Sequence, residues 1–155
     1  MIVLADLHSV MEKTLAQASP HSKEVYGQNP MNAKEVLELA NIHVLILGAT
    51  VKPDGRPHLS PIDLVAVEDT IYLGIDKSTA RYNNLKENHA ITIMIADGWK
   101  RQVILQGVTH FLDSESAQAR KAFEAEKEKY GWTTETIAEF MPEKVFTWKS
   151  KDSHQ

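Results

Sequence analysis

Residues 48–62 read GATVKPDGRPHLSPI, and this stretch decides the fold. The Asp54-Gly55 pair in its middle is a strong signal for a tight hairpin between two strands. The returning strand carries Ser60 and Pro61 where a buried strand would favour β-branched residues. Because proline cannot donate to a sheet ladder, we expect Pro61 to interrupt the ladder and to free neighbouring backbone groups for a ligand. A bulged edge strand without a ligand would explain the same residues.

The composition of the whole chain limits the function without naming it. The chain has 155 residues, a formal net charge of −4 and no cysteine. Its length suits one domain with a real core. The charge argues against a nucleic-acid partner, and the absence of cysteine excludes disulfides and thiolate chemistry. No signal-peptide pattern and no apolar run of the ~18 residues that span a bilayer are present. We therefore expect a cytoplasmic protein without a membrane partner.

Apolar periodicity predicts a mainly β domain with peripheral helices. Six strands are expected, over residues 43–51, 57–67, 70–75, 89–97, 101–113 and 143–152. Helices are expected over residues 5–18, 32–41, 77–89, 113–130 and 133–141. Asn32 is the expected N-cap of the second helix, Gly131 suits the end of the fourth, and Pro142 stops the last.

The short connections between these strands favour antiparallel neighbours, and six such strands can close into a small barrel. A flat open sheet covered by helices is the alternative. Residues 19–30 contain two prolines and a glycine and are interpreted as a linker. The predicted organisation is therefore an N-terminal helix and linker over residues 1–30, followed by the barrel domain over residues 31–155.

The segment KSTARYNNL, residues 77–85, combines a helix start with hydroxyl and guanidinium groups. Ser78 and Thr79 stand where the helix begins, and backbone amides at a helix start point outward. Arg81 adds a cation within the first turn. Together these groups predict a phosphate site. An ordinary Ser/Thr cap beside a solvent-facing arginine is the competing interpretation.

Four further side chains are weaker candidates. Gln102 opens a strand and can both donate and accept hydrogen bonds to a flat heterocycle, although a solvated glutamine is common. Trp99 could stack on a ring, and Trp148 could complete a dimer interface or wall a ligand, but both are expected to pack against the core. His58 could donate a proton near a bound ring. The seven histidines show no metal-ligand spacing.

Three segments together resemble the flavin-binding split β-barrel proteins of the pyridoxamine 5′-phosphate oxidase-like group. They are residues 49–62, 71–95 and 101–112, so the resemblance covers less than half of the chain. Its strongest marks are the A-T-x-x-x-D-G-x-P hairpin, the T-x-R-x-N-N-L helix start and R-Q-V at the opening of a glycine-bearing strand. The order and spacing of these marks make the match specific.

The resemblance implies a homodimer with flavin mononucleotide (FMN) in clefts between the subunits. The positions that it assigns to FMN are Ser60, Pro61, Ile62, Ile75, Ser78, Thr79, Arg81, Asn84 and Gln102. The backbone of residues 60–62 would follow the ring and ribityl chain, with Ile75 beside the ring. Residues 78–81 would hold the phosphate, Gln102 would contact the ring, and Asn84 matches an asparagine of the family.

The chain also departs from the vitamin oxidases of that group. Ser60 replaces their arginine, and the C-terminal FTWKSKDSHQ lacks their arginine-histidine signature. The resemblance therefore implies an FMN-dependent oxidoreductase that acts on a small molecule other than pyridoxamine phosphate. A non-catalytic flavin or haem binder, or a redox sensor, is the alternative. A deazaflavin could replace FMN, and the catalytic residues, substrate and electron donor are not identified.

Overall fold

The computed structural model describes residues 6–151. The helices are α1 (Leu7–Gln17), α2 (Pro20–Tyr26), α3 (Ala33–Ala40), α4 (Ala80–Glu87) and α5 (Ala117–Tyr130). The strands are β1 (Ile46–Val51), β2 (Pro57–Pro61), β3 (Asp63–Val67), β4 (Thr70–Ile75), β5 (Ala90–Asp97), β6 (Arg101–Phe111) and β7 (Thr136–Lys149).

The seven strands form one antiparallel sheet in the order β2-β1-β5-β6-β7-β4-β3. Strands β2 and β3 lie at opposite edges of this sheet, although only Ile62 separates them in the chain. The sheet must therefore curl until its edges approach each other, which makes it a barrel that is split along one seam. The expected mainly β, antiparallel split barrel is confirmed, with seven strands in place of six.

The additional strand arises because residues 57–67, predicted as one strand, divide at Ile62. The Ile62 amide donates to the Ile46 carbonyl at 3.0 Å, which keeps β2 on β1. From Asp63 onward the chain pairs with β4 instead. Gly48 leaves room for the buried Ile62 side chain, since a Cβ at position 48 would lie 3.0 Å from the Ile62 Cγ2 atom. The single-strand prediction is wrong because the two halves pair with different, distant strands.

Residues 133–141, predicted as a short helix, belong largely to β7. This strand pairs with β4 over residues 136–140 and with β6 over most of its length. Pro142 does not end the element. It stands opposite Gly107 beside a register shift, and bulges are among the few places where a sheet accepts proline. The helix prediction is wrong because pairing on both sides outweighs the local pattern.

The core fills the inside of the barrel, where alternate strand residues meet. Helix α3 closes one end with the fully buried Val36 and Leu39. Its predicted N-cap is confirmed, because Asn32 and Glu35 form a reciprocal capping box. The buried inward-facing strand residues include Ile46, Leu64, Leu73, Ile75, Ile93, Ile95, Leu105 and Phe140.

The N-terminal segment covers the part of β7 that extends beyond β4. The Thr14 hydroxyl of α1 accepts a hydrogen bond from the Val145 amide at 3.1 Å. Farther along the same strand, the Lys149 amide donates to the Asn29 carbonyl at 3.1 Å. These contacts satisfy backbone groups that an exposed strand edge would leave open to other chains.

Helix α2 lies within the segment that was predicted as a linker. Ser19 accepts from the Ser22 amide as N-cap, and Pro20 occupies the first helical turn, where its missing amide costs nothing. The linker prediction is therefore wrong for residues 20–26. Pro20 and Gly27, which favoured a linker, stand at the two ends of this helix.

Side chains also cover the outward edge of β3. Asn41 donates to the Ala66 carbonyl at 3.0 Å and accepts from the Ala66 amide at 2.8 Å. The Tyr130 hydroxyl accepts from the Leu64 amide at 3.1 Å, and the Lys129 ammonium donates to the Leu64 carbonyl at 2.7 Å. Burial lowers the pKa of Lys129 to about 8. The groups that another strand would use at this edge are thus occupied.

Helix α5 packs on the outer face of β3 and β4 and forms a second, smaller core there. Its N-cap is Ser116, three residues after the predicted helix start at residue 113, and its C-cap is Gly131, whose φ of 83° confirms the predicted helix end. Within residues 6–151, no helix has the length and apolar character that crossing a membrane requires.

Candidate functional site

Arg81 and Ser60, predicted from separate segments, are in contact. Ser60 lies on β2 with its side chain half-buried, whereas the flanking Leu59 and Pro61 are exposed. The Arg81 Nη1 atom, on α4, lies 3.4 Å from the Ser60 Oγ atom. The structure therefore brings the polar strand and the helix start into contact, at a place that we call the Arg81 site.

The Arg81 guanidinium has no acidic partner in the part of the chain that the structure describes. Its Nε atom is shielded from solvent and makes no hydrogen bond. An unpaired, partly buried cation is costly, and buried polar groups normally have partners. The guanidinium is therefore suited to an anion that the folded chain itself does not provide.

Thr79 is the N-cap of α4. Its hydroxyl accepts from the Tyr82 amide at 3.3 Å and donates to the Asp76 carbonyl at 2.7 Å. The next two amides, of Ala80 and Arg81, have no carbonyl within the helix to bond. Ser78 is exposed just before the cap. The predicted phosphate groups therefore lie together at a helix N-terminus, although the Thr79 hydroxyl is already used by the cap.

Asn84 has a structural contact. It is 5% exposed, and its side-chain amide donates to the Thr50 hydroxyl at 3.0 Å. Thr50 lies on β1 opposite His58. On the inner face, this pair is next to the pair formed by Gly48 and Ser60. Asn84 thereby ties α4 to the strand next to β2.

The outward edge of β2 has an unusual hydrogen-bonding pattern. The Ile62–Ile46 bond means that even-numbered β2 residues bond β1, so odd-numbered residues face outward. Two of these, Pro57 and Pro61, lack an amide hydrogen. The edge therefore presents carbonyl oxygens and one N–H, from Leu59. The expectation that Pro61 interrupts the ladder is wrong, because the ladder continues to Ile62.

Two predicted residues lie apart from the Arg81 site. The Ile75 side chain is 1% exposed and packs in the core. Gln102 faces the outer side of the sheet on β6, three strands from β2, which is roughly 14 Å at ordinary strand spacing. Its side-chain amide donates to the Gly98 carbonyl at 3.3 Å. A single chain does not bring Gln102 and Ser60 together.

The outer face that carries Gln102 is apolar. One row of paired residues crosses five strands there: Pro61, Leu47, Met94, Ile104 and Phe146. The neighbouring row includes Trp148, paired with Gln102 and half-buried. Trp99 lies in the adjoining turn and is 82% exposed, so the expectation that it packs against the core is wrong. Such a contiguous apolar face is typical of an interaction surface.

A clasp that sequence reasoning missed holds the turn before α4. The Glu135 amide donates to the Asp76 carboxylate at 3.0 Å, and the Lys77 amide donates to the Glu135 carboxylate at 3.1 Å. The Thr136 hydroxyl donates to the Ile75 carbonyl one residue earlier. Because these residues are about 60 positions apart, no local pattern could have indicated the contact.

Metal chemistry finds no support in residues 6–151, where no group of three or more His, Asp or Glu side chains is arranged around a common point. His58 lies on the same face of β2 as Ser60 and is half-buried. It is a single imidazole near the Arg81 site and belongs to no such group within residues 6–151.

Comparisons with known proteins agree with this architecture. Residues 31–150 match the family model described as pyridoxamine 5′-phosphate oxidase. None of the curated proteins matches the sequence.

Solved structures are similar in fold. The protein Rv2991 from Mycobacterium tuberculosis is 18% identical with a TM-score of 0.66, over 81% of this chain and 89% of that chain. The haem storage protein HutZ from Vibrio cholerae is 18% identical with a TM-score of 0.61, over 73% and 92%. A structure described as an F420 reductase is 18% identical with a TM-score of 0.56, over 70% and 93%. At these identities the likeness concerns the fold alone.

Proposed function

The chain belongs to the pyridoxamine 5′-phosphate oxidase family, and from that premise we propose that it binds FMN and acts as an oxidoreductase on a small molecule. The proposed cofactor domain extends from residue 31, where the family match begins, to residue 155. The observation that carries the proposal is the unpaired guanidinium of Arg81 beside Ser60.

The Arg81 site fits a phosphate monoester. A guanidinium can donate two parallel hydrogen bonds to phosphate oxygens, and such charge-assisted bonds are the strong ones. The orphan Nε supplies a second donor besides the Nη1 atom. The first amides of α4 and the exposed Ser78 hydroxyl add neutral donors, and the helix dipole favours negative charge there.

The outward edge of β2 fits the remainder of such a ligand. Its carbonyl oxygens can accept from hydroxyl groups of a ribityl chain, and the Leu59 amide can donate to a ring acceptor. In this proposal Ser60 contributes its hydroxyl, and Pro61 contributes its carbonyl oxygen. Ile62 contributes only by turning the chain, because its amide already bonds Ile46.

We place the complete site between two copies of the chain. Gln102 lies on the apolar outer face and cannot reach the Arg81 site of its own subunit. A second copy packed on that face would bring its own Gln102 toward the edge of β2. Ile75 then serves only as packing beneath the ring.

When bound, FMN would supply the capacity to accept and pass on electrons. The chain would bind the phosphate through Arg81, align the ring along β2 and shield it from water through the second copy. His58 is the titratable side chain nearest in register to Ser60 and could hold a proton there. No nucleophile is required of the chain.

A non-catalytic haem binder is the second candidate. Structural similarity to a haem storage protein and the half-buried His58 favour it. Absorbance of the purified protein separates the two candidates. A flavin spectrum that a nicotinamide donor bleaches and an electron acceptor restores supports the oxidoreductase. A flavin that such donors leave unchanged supports a carrier, and a Soret band on haem addition, lost in His58→Ala, supports haem binding.

The phosphate assignment is tested with Arg81→Ala. We expect the variant to lose about 10- to 100-fold in FMN affinity, the equivalent of roughly 1.5–3 kcal/mol for a hydrogen bond to a charged group, and to bind riboflavin almost as before. Fluorescence quenching titrations of both flavins measure this. Arg56→Ala, which removes an exposed arginine from the hairpin, is the matched control. Equal losses for both flavins would contradict the assignment.

A further inference from the structure

Glu126 of α5 is a buried carboxylate without a cation. It is 1% exposed, and no salt bridge within residues 6–151 includes it. Strand β4 makes room for it with Gly74, where any Cβ would overlap the Glu126 Oε2 atom. A glycine inside a strand weakens that strand, so this arrangement is costly at both positions.

The hydrogen bonds around Glu126 are complete only when the carboxyl carries a proton. The Thr134 amide donates to Oε1 at 2.6 Å. The Thr134 hydroxyl lies 3.0 Å from Oε2 and 3.1 Å from the Thr136 carbonyl, but it has one proton to donate. A protonated Oε2 can donate to that hydroxyl, which then donates to Thr136. An ionised carboxylate instead accepts the hydrogen bond from the hydroxyl, and the Thr136 carbonyl then loses that bond.

The surroundings hold that proton up to about neutral pH. Burial raises the pKa of Glu126 to about 7 from an ordinary value of 4.5, although its bonds from Thr134 lower it. The charged and titratable groups that face it are Asp63 on β3, Asp76 after β4 and Tyr130 on α5 itself. The two aspartates raise the pKa further, and none of the three offers a positive charge.

The same three residues, 134–136, also hold the start of α4. Glu135 clasps Asp76 and Lys77, and the Asp76 carbonyl accepts the hydroxyl bond of the cap residue Thr79. Arg81 follows within the first turn. Hydrogen bonds, joined through the backbone of residues 134–136, therefore connect the Glu126 carboxyl with the turn that precedes the guanidinium.

We propose that Glu126 is a positioning residue whose proton-bearing carboxyl fixes residues 134–136 and, through them, the phosphate-binding start of α4. The inference rests on the proposed function for its ligand. Loss of the proton breaks the bond to Thr136 and sets a buried negative charge near Asp63 and Asp76. FMN affinity therefore falls as the pH rises through neutrality.

The stability of the fold should depend on pH in the same direction as the FMN affinity. The folded chain holds this proton to a higher pH than an unfolded chain does. The contribution to stability is therefore full below the ordinary value of 4.5 and is lost as the pH rises to about 7.

The experiment compares wild type with Glu126→Gln. The glutamine amide cannot ionise, yet it can accept from the Thr134 amide and donate to the Thr134 hydroxyl. FMN affinity is measured from pH 5.5 to 8.5 for both proteins, and the ratio of the two dissociation constants cancels the titration of the FMN phosphate near pH 6. We expect a ratio near one at pH 5.5 and about fivefold weaker wild-type binding at pH 8.5, a modest coupling between sites.

Glu124→Gln is the matched control, because it removes the same charge from an exposed position of α5. Its affinity should follow wild type at every pH. A second measurement is amide hydrogen exchange of Lys77 without ligand, which should accelerate with pH in wild type relative to Glu126→Gln. A constant affinity ratio together with unchanged relative exchange would overturn the inference. Absence of FMN binding at every pH would remove the proposed function. The exchange of Lys77 would still test whether the Glu126 proton holds the turn before α4.

Discussion

Gly74 lies on β4 directly against the buried carboxylate of Glu126. The residue is required by a side chain of another element, since its own backbone has no left-handed φ. Gly107 is required for a different reason. A Cβ there would overlap the Met141 carbonyl oxygen, which belongs to the backbone of β7 at the bulge. A side chain at position 74 could therefore be accommodated if Glu126 were shortened, whereas one at position 107 would require the backbone of β7 to move.

We expect Gly74→Ala to lower the free energy of unfolding by about 2 kcal/mol or more through overpacking. Glu126→Ala should be less costly in the Gly74→Ala background than in wild type, because it removes the atom that the new Cβ meets. Urea unfolding of the two single variants and the double variant measures this coupling. Gly107→Ala is the comparison, and Glu126→Ala should not relieve it. Strict additivity of Gly74→Ala and Glu126→Ala would contradict the contact.

Strand β3 is an edge strand whose open side is occupied by side chains from α3 and α5. Asn41 reproduces the two hydrogen bonds that a neighbouring strand would make to Ala66. The Lys129 ammonium adds bonds to the carbonyls of Ala40 and Leu64, both at 2.7 Å. This arrangement completes the sheet without another strand.

We expect Asn41→Ala to lower the free energy of unfolding by about 1–2 kcal/mol, because two backbone groups of Ala66 lose their partners. Thermal or urea unfolding measures the change. Asn83→Ala is the matched control, since Asn83 is exposed on α4 and its side chain has no hydrogen bond that would be lost. Equal stability of the two variants would mean that solvent replaces Asn41 at this edge.

Local signals predicted those elements whose cause is local. The Asp54-Gly55 hairpin, the Asn32 cap and the Gly131 helix end follow from backbone preferences of a few neighbouring residues, and each is present. The division of the return strand at Ile62 and the strand character of residues 136–141 depend on pairing with distant strands. No window of sequence carries that information, so both were mispredicted.

In the candidate site, too, some residues could be predicted from local sequence and others could not. The spacing of Ser60 and Arg81 within family-like motifs was sufficient to predict that they belong together, and they lie in hydrogen-bond contact. Glu126 stands in the charged run EAEKEKY, whose composition is typical of a solvated helix face. Only the packing of α5 against Gly74 reveals that this glutamate is buried.

The part of the molecule formed by residues 6–151 presents a large apolar face, on the outer side of β2, β1, β5, β6 and β7. Five strands contribute the row Pro61, Leu47, Met94, Ile104 and Phe146. Leu45 and Leu59 extend this face and are 63% and 65% exposed. Helix α2 covers only one end of the row, where Tyr26 packs on Phe146 at 5.1 Å between ring centroids. The remainder suits a second copy of the chain, as the proposed cofactor site requires.

Leu45→Asp tests the proposed assembly at this scale. Leu45 is exposed in the single chain, so the charge should leave the fold intact while it opposes burial between two copies. We expect wild type to sediment at about twice the 17.4 kDa chain mass and the variant to dissociate at an at least tenfold higher concentration. FMN affinity should fall with dissociation, because Gln102 then lies on a separated subunit.

Val25→Asp, on the exposed side of α2, is the matched control and should remain dimeric. A variant that stays dimeric would move the interface elsewhere, and a monomer with undiminished FMN affinity would confine the cofactor site to one chain.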